Sequence, residues 1–385
     1  MFVVGPCSSD RPTVRPSDRP TVRPSDRPTV RPFRNFRSPP TLPAVTYNSF
    51  LSPDILVVRF SSIGDILLMT PLLRAIRTKW PGARVTVLTR RQYVSLVSDN
   101  PNVTEVFGVG PQQRVRSVAA QIRTVKYSHM LDLQGGLRTV ALRLLAPGPW
   151  TGFSQRRLAR ALLIRFKHNT YQEHVPVAER YFEAAADLGV EPDGLPPEFF
   201  LNPIAEEKAA GWLARARVGT KRPLVAIGPG AAHATKRWPV EHWIKLVRQI
   251  VNTGADVVAL GGPEDSAMGA EIAARGGSHV ASAAGDLSLQ ETGGVLRHAA
   301  ALISGDTGVM HMATGVGTPV VAMFGPTVRQ FGFFPYNAHA SVVERNLGCR
   351  PCSSHGGPEC PLEHHLCMRE ILPDMVFTTL TRTLA

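Results

Sequence analysis

The sequence is poor in cysteine and in long hydrophobic runs, and each scarcity excludes a class of protein. No apolar stretch approaches the roughly 18 residues that a membrane-spanning helix requires, which excludes an integral membrane protein. Only five cysteines occur in 385 residues, and four of them crowd into one short segment, so a framework of disulfides is not expected. The apolar stub at residues 1–4 is too short for a secretory signal, and we therefore expect a cytoplasmic protein.

Motifs of several common enzyme classes are also absent. The sequence has no Asp-x-Asp pair, so a metal-bridged diphosphate site of that kind is not expected. It has neither the Gly-x-Gly-x-x-Gly fingerprint of dinucleotide-binding domains nor the Gly-x-Ser-x-Gly elbow of α/β-hydrolases. These absences argue against an NAD-dependent oxidoreductase and against an α/β-hydrolase.

Acidic residues are fewer than basic ones. The chain has 30 Asp and Glu and 43 Lys and Arg, which gives a net charge of +13. Residues 1–50 carry +5 of this charge and the remaining chain carries +8. A moderately basic body suits a partner that carries phosphates, whether a nucleotide, a nucleic acid or an anionic membrane surface.

The N-terminal segment repeats the octapeptide Ser-Asp-Arg-Pro-Thr-Val-Arg-Pro three times in succession over residues 9–32. Its prolines remove backbone donors and keep their neighbours extended. Since it also lacks apolar residues to bury, we predict that residues 1–50 form a disordered Pro/Arg repeat tail. Such a tail is either a basic tethering arm or the product of repetitive DNA translated upstream of the natural start.

Beyond the tail, predicted buried strands alternate with helices. The apolar run over 54–60 predicts a strand buried on both faces, and apolar residues at i, i+4 spacing predict a helix that ends at Pro81. Further strands are predicted at 84–89, 129–133, 224–227, 256–260, 300–304 and 319–324, and helices around 240–252, 264–275, 288–298 and 307–315. The alternation implies right-handed βαβ units and an α/β fold with two Rossmann-like domains.

A proline-rich segment over 190–203 separates the two series of strands and is interpreted as a linker. We therefore predict an N-terminal domain over 51–189 and a C-terminal domain over 204–385. Ligands of open parallel sheets bind beyond the carboxyl ends of the strands, so both domains should present loops to a central cleft.

Four loops at the carboxyl ends of predicted strands hold most of the candidate residues. They cover residues 61–65, 228–239, 261–265 and 304–311. In the first loop, Asp65 is either a general base or only the cap of a helix. In the second, small residues expose backbone N–H groups and Lys236 adds positive charge, which suits either a diphosphate site or a solvated connection.

The third and fourth loops also allow two interpretations. Glu264 either accepts hydrogen bonds from ribose hydroxyls or only stabilises the start of a helix. In the fourth loop, Asp306 or Thr307 caps a helix whose first N–H groups can bind phosphate or orient sugar hydroxyls. His311 lies one helical turn later on the same face, and it is either part of this site or a core residue with a satisfied partner.

Taken together, these segments resemble glycosyltransferase family 9, the ADP-heptose:lipopolysaccharide heptosyltransferases. The matching pieces are ILVVRFSSIGDILLMTP (55–71), DLQGGLR (132–138), KRWP (236–239), LGGPE (260–264) and SGDTGVMH (304–311). The resemblance runs from about residue 54 to residue 380. It implies a GT-B fold in which an acceptor-side N-terminal domain faces a nucleotide-sugar-binding C-terminal domain.

The resemblance also implies roles for individual residues. Asp65 would be the catalytic general base. The residues implied to bind the donor are Gly64, Lys236, Glu264, Asp306, Thr307, Gly308 and His311. On the acceptor side, Asp132, Gln134 and Arg138 either face a phosphorylated, lipid-linked sugar or belong to a solvated basic surface.

The activity implied by the resemblance is inverting transfer of heptose from ADP-heptose to a lipopolysaccharide-core acceptor, with no cofactor needed for catalysis. The expected partners are a nucleotide-sugar donor, a lipid-linked or phosphorylated glycan acceptor and the anionic inner face of the cytoplasmic membrane; a nucleic-acid partner is not expected. The alternatives are another nucleotide sugar, a different glycan or protein acceptor, or a non-catalytic module that binds a nucleotide sugar.

The remaining motif is a cluster of four cysteines, Cys349, Cys352, Cys360 and Cys367. Four thiolates at this spacing suit a tetrahedral, structural Zn or Fe site, and the alternative ligands are His355, His364 and His365. A reduced, metal-free loop is the other interpretation. Because the cluster in this Cys-rich loop (349–367) follows the last predicted strand and lies outside all four cleft loops, we expect it to be structural and to take no part in catalysis.

Overall fold

The computed structural model describes residues 52–171 and 173–385. The Pro/Arg repeat tail predicted over 1–50 lies outside the described residues. All described residues belong to one compact unit that contains two parallel β-sheets.

The first sheet has five strands in the spatial order β3-β2-β1-β4-β5, and every pair is parallel. Its central strand is almost fully buried because both of its faces are covered. Val57 pairs with Val87 on one side and with Leu131 on the other. The strands are β1 (Asp54–Val58), β2 (Arg84–Arg90), β3 (Glu105–Val109), β4 (His129–Asp132) and β5 (Trp150–Gly152).

The second sheet has six parallel strands in the order β11-β10-β9-β6-β7-β8. In its centre Ala226 pairs with Val258 and with Leu302. The strands are β6 (Leu224–Gly228), β7 (Asp256–Ala259), β8 (Val280–Ser282), β9 (Ala301–Gly305), β10 (Val320–Phe324) and β11 (Ala340–Glu344).

Helices connect the strands and cover both sheets. The α-helices are α1 (Ile63–Leu68), α2 (Thr70–Lys79), α3 (Val115–Ile122), α4 (Leu137–Leu145), α5 (Arg157–Phe166), α6 (Val177–Arg180), α7 (Pro203–Ala216), α8 (Val240–Asn252), α9 (Ser266–Gly276), α10 (Leu289–His298), α11 (Gly308–Val316), α12 (Leu366–Arg369) and α13 (Pro373–Leu384). None of the helices in the described ranges combines the length and apolar character required to cross a bilayer.

The hydrophobic core joins the two sheets. One cluster contains Val57 and Leu131 of the first sheet together with Ala226 and Leu302 of the second. The opposite face of each sheet packs on its own cluster. Because the largest cluster is shared, burial of apolar surface holds the facing strand ends near each other.

The predicted α/β fold with two Rossmann-like halves is confirmed, and the strands that the sequence predicted are present. The helix predicted to run continuously to Pro81 is wrong in one respect, because it is broken at Met69 into α1 and α2. Pro71 has no N–H group to donate to the carbonyl of Leu67. That carbonyl accepts a hydrogen bond from the hydroxyl of Thr70 instead (2.7 Å). The segment over 190–202 contains neither helix nor strand, and its role as a linker between domains stays a prediction.

Candidate active site

The carboxyl ends of β1, β6, β7 and β9 surround a cavity of about 770 Å³. All four loops that the sequence singled out contribute to its wall. Parallel strands in a sheet end at the same edge, which is why loops far apart in the chain meet there. The candidate residues that line the cavity are Gly64, Asp65, Gln134, Lys236, Glu264, Asp306, Thr307, Gly308 and His311.

Asp65 lies in the first turn of α1, where it caps the helix and forms an ion pair. One carboxylate oxygen accepts hydrogen bonds from the backbone N–H (3.0 Å) and the hydroxyl (2.9 Å) of Ser62, the N-cap residue. The other oxygen is 2.6 Å from the Arg59 guanidinium and 3.4 Å from the Tyr181 hydroxyl. Helix capping therefore uses one side of the carboxylate, and an ion pair uses the other.

The charge state of Asp65 follows from these contacts. Burial alone would raise the pKa of the carboxyl group, but the positive charge of Arg59 and the hydrogen bonds from Ser62 hold the pKa below its usual range. The guanidinium of Arg59 is itself fixed by a hydrogen bond to the carbonyl of Leu133. Asp65 is therefore an ionised carboxylate at neutral pH.

Two glycines allow α1 and α11 to approach closely. A Cβ atom on Gly64 would lie 2.3 Å from a ring carbon of His311, and one on Gly308 would lie 2.9 Å from the Cβ of Ile63. Neither position tolerates a side chain without displacement of a neighbour. The close approach places Asp65, which belongs to the first sheet's half, beside the N-terminus of a helix in the second half.

His311 is almost completely buried at this contact. Burial disfavours the charged imidazolium and lowers the pKa of His311, so the ring is neutral. Its Nδ1 atom has no hydrogen-bond partner within the described part of the chain. The structure therefore places a neutral ring with one unused nitrogen in the cavity wall.

Lys236 and Asp306 form an ion pair in the cavity wall, with Nζ 2.6 Å from Oδ2. Lys236 ends a short 3-10 helix (Ala234–Lys236) that follows β6. The same oxygen of Asp306 accepts a hydrogen bond from the hydroxyl of Thr327 (2.8 Å). Thr307, the N-cap residue of α11, has its hydroxyl 2.9 Å from that of Ser304. The cation thus lies beside a helix N-terminus, which is an arrangement that favours anions.

Glu264 lies in a short 3-10 helix (Pro263–Asp265) at the end of the cavity formed after β7. Its neighbour Asp265, which sequence analysis did not single out, shapes this turn by accepting a hydrogen bond from the N–H of Gly262 (3.1 Å). A Cβ on Gly230 would clash with the Asp265 carboxylate. The carboxylate therefore packs directly on the loop that carries Lys236.

Of the three residues assigned to the acceptor side, the cavity wall contains only Gln134. Its side-chain oxygen accepts hydrogen bonds from the backbone N–H groups of Phe60 (2.9 Å) and Ser61 (3.3 Å). Asp132 is buried, and its carboxylate accepts hydrogen bonds from the backbone N–H groups of Gln134 and Gly135. Arg138 stacks over the ring of Phe60, 4.9 Å from its centroid. Asp132 and Arg138 thus support the loop that carries Gln134.

The four cysteines of the Cys-rich loop are electrostatic neighbours. Burial and the nearby thiols raise the pKa of Cys352, and burial raises the pKa of Cys367 to about 11. Over residues 52–171 and 173–385, however, no group of three or more His, Cys, Asp or Glu side chains is arranged to hold a metal ion. The predicted metal site therefore stays a prediction.

The Cys-rich loop reaches the cavity, although none of its four cysteines is among the residues that line it. Ser354 and His355, which follow Cys352, contribute to the cavity wall. Sequence analysis also missed Arg59 and Tyr181, the partners of Asp65. Arg59 carried a signal, because it is a charged residue directly after an apolar strand, whereas Tyr181 comes from a distant helical segment and carried none.

Comparison with known proteins identifies the family. A sequence profile of glycosyltransferase family 9 (heptosyltransferase) matches residues 115–362. Lipopolysaccharide heptosyltransferase 2 of Salmonella typhimurium is 26% identical over 292 residues, which is 72% of this chain and 84% of that protein.

Solved structures of other proteins share the fold of this chain. A family 9 glycosyl transferase from Veillonella parvula superposes with a TM-score of 0.71 at 22% identity, covering 86% of this chain and 97% of the other. The iron-containing dodecameric glycosyltransferase TibC from enterotoxigenic E. coli H10407 has a TM-score of 0.55 at 17% identity, covering 86% and 76%. Because the family profile spans well over half of the chain and the fold agrees, this protein is a GT-B glycosyltransferase that belongs to glycosyltransferase family 9.

Proposed function

We propose that this enzyme transfers heptose from ADP-heptose to a lipopolysaccharide-core acceptor with inversion at the anomeric carbon, and that Asp65 is the general base. The observation that carries the proposal is the contact between α1 and α11, which puts an ionised carboxylate beside a helix N-terminus, in a cavity whose wall also contains Lys236. The relative from Salmonella typhimurium supports heptose as the transferred sugar.

The proposed reaction needs one proton acceptor and one anion-stabilising site. The acceptor's hydroxyl oxygen attacks the anomeric carbon while the bond from that carbon to the diphosphate oxygen breaks. The hydroxyl proton passes to Asp65, and ADP leaves with the electron pair. Lys236 and the first N–H groups of α11 would stabilise the negative charge that develops on the diphosphate.

The geometry at Asp65 suggests where the acceptor hydroxyl binds. The oxygen that faces Arg59 and Tyr181 is committed to buried partners. The other oxygen is in contact with the hydroxyl of Ser62, an exposed residue that can rotate away. We place the acceptor hydroxyl at that second oxygen, where a carboxylate lone pair becomes available without breaking the ion pair.

The donor is proposed to extend from this point towards the third loop. Its diphosphate would lie at Lys236, Thr307 and Gly308, and its ribose would be close enough to Glu264 for hydroxyl-to-carboxylate hydrogen bonds. The sugar would then occupy the space between the diphosphate and Asp65. Of the three residues assigned to acceptor binding, Gln134 is the one that lines the cavity.

The acceptor is proposed to arrive from an anionic membrane surface. Helix α4 exposes Leu137 (91%), Val140 (50%) and Leu144 (78%), which are spaced to share one face. Helix α5 adds exposed Leu158 and Phe166, together with several arginines. It begins beside the Gly135 turn that precedes α4, because Arg157 donates a hydrogen bond to the carbonyl of Gly135 (2.5 Å). Exposed apolar side chains among basic ones fit the interface of an anionic bilayer.

The four cysteines are proposed to hold a structural ion that prefers thiolates. TibC, which shares the fold, is described as iron-containing. The mutual proximity of the thiols suits such an ion, since a cation would lower the raised thiol pKa values. The four side chains do not enclose a common point as they stand, so binding requires the loop to tighten. No step of sugar transfer depends on this ion.

Release of ADP tests the proposed function directly. The purified protein is incubated with ADP-heptose and a heptose-deficient lipopolysaccharide core, with parallel reactions containing other ADP, UDP and GDP sugars. Acceptor-dependent ADP release with ADP-heptose is the expected result. Release with another nucleotide sugar alone would reassign the donor. Binding without turnover of any donor would make the chain a nucleotide-sugar-binding module and refute the proposal.

A further inference from the structure

The Cys-rich loop takes part in building the active-site cavity. Ser354 and His355 lie in the cavity wall together with Asp65, Lys236 and Asp306. His355 comes from a part of the chain that contributes to neither sheet, and no role follows for it from the family resemblance. Its side chain is accessible to solvent, as a ligand-binding group in an open cleft should be.

The Cys-rich loop is hydrogen-bonded directly to the segment that carries Lys236. The backbone N–H of Thr235 donates to the carbonyl of Gly357 (3.2 Å), and the N–H of Gly357 donates to the Thr235 hydroxyl (2.8 Å). The ring of His365 is 2.8 Å from the Thr235 carbonyl. On the other side, Lys167 donates to the carbonyl of Pro351 (2.6 Å). Hydrogen bonds to backbone carbonyls at both ends of the segment give it a defined position relative to Lys236.

The His355 ring is in contact with the neighbouring Ser354 at one of its two nitrogens. Its Nδ1 atom is 2.7 Å from the hydroxyl of Ser354, which leaves Nε2 for another partner. The ring shares the cavity wall with the proposed base, Asp65, and with Lys236 of the proposed diphosphate site.

We propose that His355 binds the transferred sugar of the donor by a hydrogen bond between Nε2 and a ring hydroxyl, and that Ser354 positions the imidazole. This inference rests on the proposed function, in which the sugar lies between Asp65 and Lys236. The Asp65 carboxylate lies in the same cavity wall and disfavours a second anion beside it, whereas a sugar hydroxyl carries no charge. A sugar hydroxyl can donate or accept, so it suits either tautomer of the ring.

The decisive measurement compares ADP with ADP-heptose, because ADP lacks the sugar that His355 is proposed to contact. For His355→Ala, we expect calorimetry to give an ADP affinity within about twofold of wild type. We expect ADP-heptose to bind about tenfold more weakly, as loss of one hydrogen bond to a polar ligand implies. Ser354→Ala should weaken ADP-heptose by about threefold, since the ring remains but is less well oriented.

The matched control is Glu359→Ala, a truncation of an exposed residue in the same loop that does not line the cavity. It should bind both ligands as wild type does. Unchanged affinity of His355→Ala for ADP-heptose would overturn the inference while leaving the proposed function intact. Equal weakening of ADP and ADP-heptose, together with a lower Tm, would also overturn it, because it would make His355 a loop-stabilising residue. If wild-type protein binds no ADP-heptose, the proposed function is wrong and the inference is wrong with it.

Discussion

Replacement of Asp65 is the perturbation that most directly tests the proposed mechanism. Asp65→Asn keeps the size of the side chain and one oxygen for Ser62, but it removes the negative charge and most of the proton affinity. Loss of a positioned general base lowers the rate by about 10²–10⁴. Affinity for ADP should change little, because Asp65 contacts Arg59, Ser62 and Tyr181 and none of the groups proposed to bind the diphosphate.

The same substitution also affects stability, and the structure indicates by how much. Side-chain exposure is 10% for Arg59 and 14% for Asp65, so the ion pair is largely shielded from water. Removal of one partner of a buried pair costs about 3–5 kcal/mol, because the other charge is left uncompensated. Asp65→Asn therefore lowers both activity and the free energy of unfolding. A single variant cannot separate these two effects.

The double variant Arg59→Met/Asp65→Asn separates them. It removes both charges, so most of the lost stability should return while transfer stays defective by at least about 10². Turnover is measured as ADP release per folded protein at a temperature well below the Tm of each variant. The control is Asp187→Asn, an exposed aspartate outside the cavity wall, which should match wild type. More than about one-tenth of wild-type turnover in Asp65→Asn would leave Asp65 as a cap and ion-pair partner, and the mechanism would be refuted.

Four further predictions follow from individual contacts. Arg59→Met should raise the pKa of Asp65 and move the acid limb of the kcat/KM profile to higher pH, because the cation that favours the carboxylate is gone; an unmoved limb would mean that another group titrates. In wild type the depressed pKa stabilises the fold above about pH 4, and this contribution is lost as the pH falls below that value. Lys236→Ala should weaken ADP binding about 10–100-fold, with a smaller defect at high salt, and unchanged affinity in calorimetry would remove Lys236 from the donor site. Cys352→Ser should lower metal content and Tm; less than about one-tenth equivalent of zinc plus iron in folded, active wild-type protein would refute the four-thiolate site. Leu144→Glu should reduce sedimentation with phosphatidylglycerol vesicles at unchanged ADP affinity, whereas a change of oligomeric state without loss of vesicle binding would assign this face to a second copy of the chain.

The inner strands of both sheets could be predicted from the sequence, and the outermost strands could not. The predicted strands are β1, β2 and β4 in one sheet and β6, β7, β9 and β10 in the other, and all of them have neighbours on both sides. The missed strands β3, β5, β8 and β11 are the four sheet edges. A central strand of a parallel sheet is covered on both faces and leaves a continuous apolar run in the sequence. The edge strands are only partly covered, so they lack a continuous apolar run and their residues resemble those of a loop.

The loops of the active site could likewise be predicted from the local sequence pattern. Small residues and acids directly after a buried strand indicate the carboxyl edge of a parallel sheet. The sequence by itself thus determined the fold class, the cleft and the family resemblance. Tertiary structure decided the surroundings of each side chain. In the folded protein Asp65 forms an ion pair with Arg59, and Asp132 accepts a hydrogen bond from the loop that carries Gln134. His355, which belongs to the Cys-rich loop, lies in the cavity wall. The contact of Tyr181 with Asp65 and the position of His355 in the cavity wall involve residues that are distant in the chain, and local sequence pattern carries no signal for such neighbours.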